Sequence, residues 1–179
     1  MSHEVNAQQY ETLRLYPQVL SIPKCTGDTP QVLKTEGREI TIPPHTNIFP
    51  NCVALQTDPD SWGTDSLLWK PNRWIEGSKA VTSSAASLSA ETLFTPIKGS
   101  YIPWSEGPRV CPGKKFSMVE FVSVIAVLLW NHRIEITPRA GETATQARER
   151  VYQVVENSAT HFTLQMKDPK SVGLSFVKK

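Results

Sequence analysis

Cysteine is scarce in this sequence: three in 179 residues, Cys25, Cys52 and Cys111, far apart and without a CxxC pair. An odd, dispersed set argues against a disulfide framework and against a structural zinc site. Charge of one sign is equally lacking. The formal net charge is +2, too small to argue for nucleic acid or an anionic membrane as partner. The longest apolar run, Phe121 to Trp130, is broken by Ser123 and is far too short to span a bilayer. No basic segment followed by an apolar one opens the chain, so no secretory signal is expected. No internal repeat is evident. Present instead is an apolar content of 39%, enough to bury a core, in a length that suits one domain or a piece of a larger one.

Periodicity sets out the elements. Val5, Tyr10, Leu13 and Tyr16 fall at helical spacing, and Pro17 closes the helix. "QVLSI", "QVLKT" and "REITI" read as strands of a small sheet. Cys52 to Leu55 has helical character, and Pro71 to Pro103 reads as loop. Within it the Ser- and Ala-rich segment Gly77 to Thr92 is expected to be an exposed insertion. From Gly113 to about Trp130 a helix carries few polar residues on any side, which predicts burial nearly all round. "RIEI" reads as a strand, and "GETATQARERVYQVVE" is either helical or irregular. "HFTLQMK" and "GLSFVKK" are expected to close the chain as a β-hairpin around Pro169 and Gly173. The fold class expected is α+β, mainly α.

One cysteine has a rigid setting. In "YIPWSEGPRVCPGKKFSMVEF", Cys111 lies between Pro108 and Pro112, which restrict the backbone, and between Gly107 and Gly113, which permit tight turns and close approach. A helix starts near Gly113, so unpaired N–H groups favour the thiolate. Arg109 offers a cation to an anionic partner. Three uses are open. A catalytic nucleophile needs a base, and His3, His45, His132 and His161 are scattered. A buried structural cysteine is the plainer alternative. The third is axial ligation of haem iron, where a thiolate pushes electron density onto the metal.

"WSEGPRVCPG" resembles the haem-binding loop of the cytochrome P-450 monooxygenases, F-x-x-G-x-R-x-C-x-G. Gly107, Arg109, Cys111 and Gly113 match, with Trp104 where the family usually has Phe. Two more motifs follow the family's order. "ETLR", followed by "LYP", supplies Glu11 and Arg14 as in its K helix. "DPDSWGTDSLLWKPNRW" resembles its meander segment, with Arg73 at the arginine that meets the Glu–Arg pair and Asn72 in place of the usual acid. The resemblance implies that Cys111 is the thiolate ligand of haem b (iron protoporphyrin IX) and that Arg109 neutralises a propionate. It implies a structural network of Glu11, Arg14 and Arg73, with Lys24 as a further propionate cation. Val19 to Ile22 would line the substrate side, fitting a small apolar organic substrate. Lys114 and Lys115 break the dipole rule in the first turn of a helix and suggest a basic patch for an electron-donating reductase.

On this resemblance residues 1–179 form one partial domain: K helix, small sheet, meander, cysteine loop, L helix and terminal hairpin, the C-terminal part of the fold. Nothing like A/G-G-x-D/E-T, the proton-relay motif, occurs, and no catalytic residue is identifiable in this portion. The function implied is a haem-thiolate monooxygenase, an oxidoreductase that inserts one atom of O2 into its substrate. The alternative is a non-catalytic haem-binding or interaction remnant. A thiol enzyme of another type is a third class. An intracellular location is expected; full-length relatives usually sit at the endoplasmic reticulum membrane, and no anchor is seen in this sequence.

Overall fold

The computed structural model describes residues 2–35, 37–77 and 92–179. The Ser- and Ala-rich segment therefore falls largely outside the described residues. Helix α1, Ser2–Leu15, contains no Gly or Pro and carries Glu4 in its first turn and Arg14 in its last, each at the dipole end that favours it. Its Ala7, Glu11 and Arg14 are fully buried, at helical spacing on one face. Val5, Tyr10 and Leu13, the apolar residues of the sequence pattern, are only half-buried. The most deeply buried positions of this helix thus include its ion pair.

Two short helices follow. Helix α2, Cys52–Thr57, is capped by Asn51, whose side chain accepts from the Ala54 amide. Helix α3, Pro59–Trp62, has Asp58 as its cap and Pro59 in its first turn. A 3-10 turn at Pro71–Trp74 leads into a short strand, Ile75–Glu76, so the stretch expected to be all loop contains a helical turn and short strands. Trp62 and Trp74 meet Ala7 of α1 in a small core, with Tyr10, Ile75, Phe94 and Tyr101 packed around it.

The strands do not join into one sheet. Strands β1 (Lys24–Cys25) and β4 (Asn47–Ile48) pair, as do β2 (Gln31–Thr35) and β3 (Arg38–Ile42), and β5 (Ile75–Glu76) and β6 (Thr92–Leu93). All are antiparallel two-stranded ladders. "QVLSI" is not a strand; only Ser21 makes a bridge, to Asn51. Pro17 and Pro23 bracket it, and its carbonyls serve other elements: Leu20 accepts from the Cys52 amide at 2.9 Å and Gln18 from Leu164 at 2.9 Å.

The expected terminal hairpin does not form. "GLSFVKK" supplies β10, Leu174–Lys178, which pairs with β7, His132–Ile136, in the register Leu174 to Ile136 and Lys178 to His132. "HFTLQMK" supplies β9, Leu164–Met166, paired with β8, Ser158–Thr160. The chain is turned between them by a 3-10 turn at Pro169–Ser171 and clasped by Arg150. Its guanidinium donates to the Ser171 and Thr137 carbonyls and to the Glu142 carboxylate. Hydrogen bonds from Arg150 and the Arg139 amide hold Glu142 at a pKa of about 2. Arg150 lies on the helix Ala144–Glu156, whose start has a capping box between Thr143 and Gln146. The segment read as helical or irregular is therefore a helix.

Helix α4, Lys114–Trp130, corrects the largest expectation. None of its residues is buried, and Phe116, Val119, Val127 and Trp130 are 67–75% exposed. Apolar residues all round a helix call for neighbours all round, but this chain places mainly α1 and β7 against it. The accessible surface agrees: 13044 Å² for 20.0 kDa, against roughly 8,700 Å² for a compact monomer of that mass. In the described residues no helix is long and apolar enough to cross a membrane. The terminal clasp is testable by hydrogen exchange: Arg150→Met should speed exchange at the Thr137 and Val172 amides and leave that of α1 unchanged. Equal acceleration in α1 would mean Arg150 supports the whole fold.

Candidate functional site

One carboxylate organises the support of the site. Glu11 is fully buried and accepts five hydrogen bonds. Arg14 Nε and Nη2 each donate at 2.8 Å, Arg73 Nε at 3.0 Å, the Lys70 amide at 2.8 Å and Trp74 Nε1 at 2.9 Å. Arg14, also fully buried, sends its remaining N–H groups to the carbonyls of Gln56, Ser66 and Leu68. Arg73 reaches the Trp62, Asp65 and Leu68 carbonyls and the Asp65 carboxylate. Every guanidinium N–H therefore has an acceptor, which is what charge taken out of water requires. Burial pushes the Glu11 pKa up, but hydrogen bonds from Arg14, Lys70 and Trp74, with the Arg14 charge, outweigh it and leave Glu11 below its ordinary value.

Gln56, also fully buried, extends this knot and was not singled out in the sequence. It donates to the Leu13 and Arg14 carbonyls at the end of α1 and accepts from the Ile102 amide at 3.0 Å. That last bond ties the network to the cysteine loop. Tyr101 adds a second tie, donating its hydroxyl to the Tyr10 carbonyl. A lone glutamine before an Asp-Pro turn carries no sequence signal of such a role; only the approach of three segments creates it.

The loop itself turns twice. Ser105 at φ 66° and Gly107 at φ 85° lie in the left-handed region, which glycine adopts without steric penalty. The Val110 amide donates to Gly107, and the Cys111 amide donates to the Trp104 carbonyl at 2.8 Å, closing the loop. The Trp104 indole donates to the Ser117 hydroxyl at 3.1 Å, pinning the loop to α4. Lys114 Nζ stands 5.5 Å from the Trp104 ring centroid.

Cys111 is exposed and lines a concavity of about 500 Å³ together with Arg109, Trp104, Gly113, Val19 and Ile22. A Cβ on Gly113 would stand 3.6 Å from the Cys111 sulfur, in ordinary van der Waals contact with it. Arg109 is exposed and, among the described residues, has no hydrogen-bond or ion-pair partner. Lys24 is not among the residues lining the concavity; it is exposed on the β1–β4 ladder. Lys115 is exposed in the first turn of α4. The structure thus brings Glu11, Arg14 and Arg73 into one network, gathers Cys111, Arg109, Trp104 and Gly113 at one concavity, and leaves Lys24 apart.

Removing the central carboxylate strands two guanidinium groups. Glu11→Gln should cost about 3–5 kcal/mol of stability, as expected for breaking a buried pair, and more than Asp65→Asn at the exposed end of the network. Glu11 is more acidic folded than unfolded, so its contribution is complete above the ordinary glutamate pKa and is lost as pH falls through the folded value. Denaturant titrations from neutral to acid pH should show a larger loss in the parent than in Glu11→Gln, the loss due to Glu142 and Asp65 being common to both.

Comparison with known proteins bears on the whole arrangement. The family model described as Cytochrome P450 matches residues 5–161. A phomenoic acid biosynthesis cluster cytochrome P450 monooxygenase of Leptosphaeria maculans is 33% identical over 165 residues, 82% of this chain and 26% of that protein. A cytochrome P450 monooxygenase of Arthrobotrys oligospora is 28% identical over 91% of this chain and 29% of its own length. The crystal structure of the cytochrome P450DA heme domain superposes with a TM-score of 0.64 at 14% identity, covering 98% of this chain and 30% of that one. The chain thus spans under a third of the length of these proteins. With the three motifs, the buried Glu11 network and the Cys111 concavity in one fold, the chain belongs to the cytochrome P450 family.

Proposed function

We propose that this chain is the C-terminal, haem-binding part of a haem-thiolate monooxygenase, with Cys111 as the iron ligand. The observation that carries the reading is an exposed thiol in a largely apolar concavity beside an arginine that has no partner among the described residues. Its volume, about 500 Å³, lies within the ~300–1,000 Å³ of small-molecule and cofactor sites. The donor set fits the group. The described residues contain no cluster of three or more His, Cys, Asp or Glu that could hold a metal ion. A haem would bring its own nitrogen donors and would need only one ligand from the protein, which Cys111 would supply. When bound, haem b supplies dioxygen activation at iron, which a thiolate ligand favours.

The remaining roles belong to residues of the chain. Helix α4 begins at Lys114, so the proposed ligand stands just ahead of a helix start, with the Lys114 amide donating to the Cys111 carbonyl. Arg109 is available to a propionate. Lys24, two residues beyond the wall residue Ile22, is a candidate for the other propionate. Val19 and Ile22 offer apolar surface to a small organic substrate. Lys114 and Lys115 form the docking patch for a reductase, with Lys114 also held by the Trp104 ring. The exposed apolar surface of α4 is surface that the remaining portion of a family member would cover.

That exposure also favours a second reading, a haem-binding or interaction module without turnover. Reconstitution with haem separates the two. Substrate-dependent oxygen consumption with the red-shifted Soret band of thiolate-ligated ferrous–carbonyl haem supports the monooxygenase; the band without oxygen consumption supports the module. In either case Cys111→Ala should abolish that band, and an unaltered spectrum would refute the ligand assignment. Charge reversal at Lys114 and Lys115 should slow reduction by the reductase and weaken its salt dependence; unchanged kinetics would refute the docking patch.

A further inference from the structure

A run of oxidisable rings leads away from the concavity into the core. Trp104 stands in the same wall as Cys111. Its ring centroid is 6.1 Å from those of both Tyr10 and Tyr101. These in turn lie 5.2 and 4.7 Å from Trp74, and Trp62 is 5.3 Å beyond. Aromatic cores often pack this way. What distinguishes these rings is the polar partner of each.

Tyr10 donates its hydroxyl to the Met118 sulfur and Tyr101 to a backbone carbonyl. Neither acceptor takes up a proton, and burial raises both phenol pKa values. A phenol that cannot release its proton resists oxidation. Trp62 carries the Arg14 guanidinium 5.0 Å from its centroid. A cation attracted to an electron-rich ring repels that ring once an electron is removed, strongly so out of water. Trp74 differs from all of these, because its indole N–H donates to the Glu11 carboxylate at 2.9 Å. A negative group at that distance favours positive charge on the ring.

We propose that these rings form an electron relay in which Trp104 is the entry and Trp74 the terminus for oxidising equivalents arising in the concavity. A one-electron oxidant seated beside Cys111 takes an electron from the Trp104 indole and is itself reduced. An electron from Trp74 then refills Trp104 across Tyr101 and Tyr10. The Nε1 proton of Trp74 stays in its hydrogen bond to Glu11 Oε2, leaving an indole radical cation beside an ionised carboxylate. A thiol or ascorbate-type reductant restores the electron. Oxidation is thereby drawn away from the Cys111 sulfur, which would otherwise climb toward sulfenic and sulfinic acid. The relay is independent of the porphyrin assignment, since any one-electron oxidant at that position engages it.

The full chain in a Cys25→Ser background leaves Cys111 as its exposed thiol, since Cys52 is buried. A ruthenium polypyridyl sensitiser attached there, illuminated with an oxidative quencher in air, generates the oxidant in place. Peptide mass spectrometry should find oxidised tryptophan at Trp74, 1% exposed, ahead of Trp69 and Trp130, 54% and 71% exposed. Untethered sensitiser should mark Trp69 and Trp130 first. Trp104→Phe, the aromatic residue usual at this position of the family motif, should abolish the Trp74 mark. Transient absorption in the parent should report a tryptophanyl and not a phenoxyl radical. Damage that follows exposure, a Trp74 mark surviving Trp104→Phe, or a phenoxyl end state would each overturn the relay. Loss of haem binding would overturn only the preceding proposal.

Discussion

A single ionised carboxylate, shut away from water, holds together the half of the molecule that carries the cysteine loop. Glu11 draws Arg14 from its own helix, Arg73 and Trp74 from the 3-10 turn, and the Lys70 amide onto two oxygen atoms. Burying three charges is unfavourable unless each polar atom finds a partner. Here the partners are backbone carbonyls and donors of segments that have little regular structure of their own. The network therefore specifies the path of the chain between α3 and β5, where few ladder or helix bonds could do so.

From that knot the cysteine loop is positioned in two steps. Gln56, hydrogen-bonded to the end of α1, accepts the Ile102 amide, and Trp104 bonds to Ser117 on α4. The aromatic core fills the space between, so the wall of the concavity and the buried carboxylate are joined by rings in contact. Structural support and electronic connection share the same side chains. A change at Trp104 acts on loop geometry and on the relay together, whereas a change at Arg109 acts at the open side of the site alone.

The other half of the molecule is organised differently. Beyond α4 the terminal ladders are tied by Arg150 and Glu142, a partly exposed pair working through backbone carbonyls. Between the two halves, α4 presents Phe116, Val119, Val127 and Trp130 to solvent. So large an apolar exposure is unusual for a closed domain. It accords with a chain that spans under a third of its relatives' length.

Much of this was legible in one dimension because it rests on local rules. Helical spacing and Pro17 delimit α1, and the three motifs name Glu11, Arg14, Arg73, Arg109 and Cys111 by residue type and interval. The closing pairing of strands was not legible: "HFTLQMK" and "GLSFVKK" have the right alternation for each other, yet each finds another partner across the Arg150 clasp. The exposure of α4 was not legible for a related reason. Composition tells how much apolar surface a helix would gain by covering, but not whether neighbours exist to cover it. The role of Gln56 left no trace in the sequence, because it arises only where three distant segments converge. Local chemistry, the thiol, the cations and the turns, was thus determined by the amino-acid order itself. Which groups meet, which face stays wet and which indole touches a carboxylate were decided by tertiary structure, since those contacts depend on distances that sequence separation does not encode.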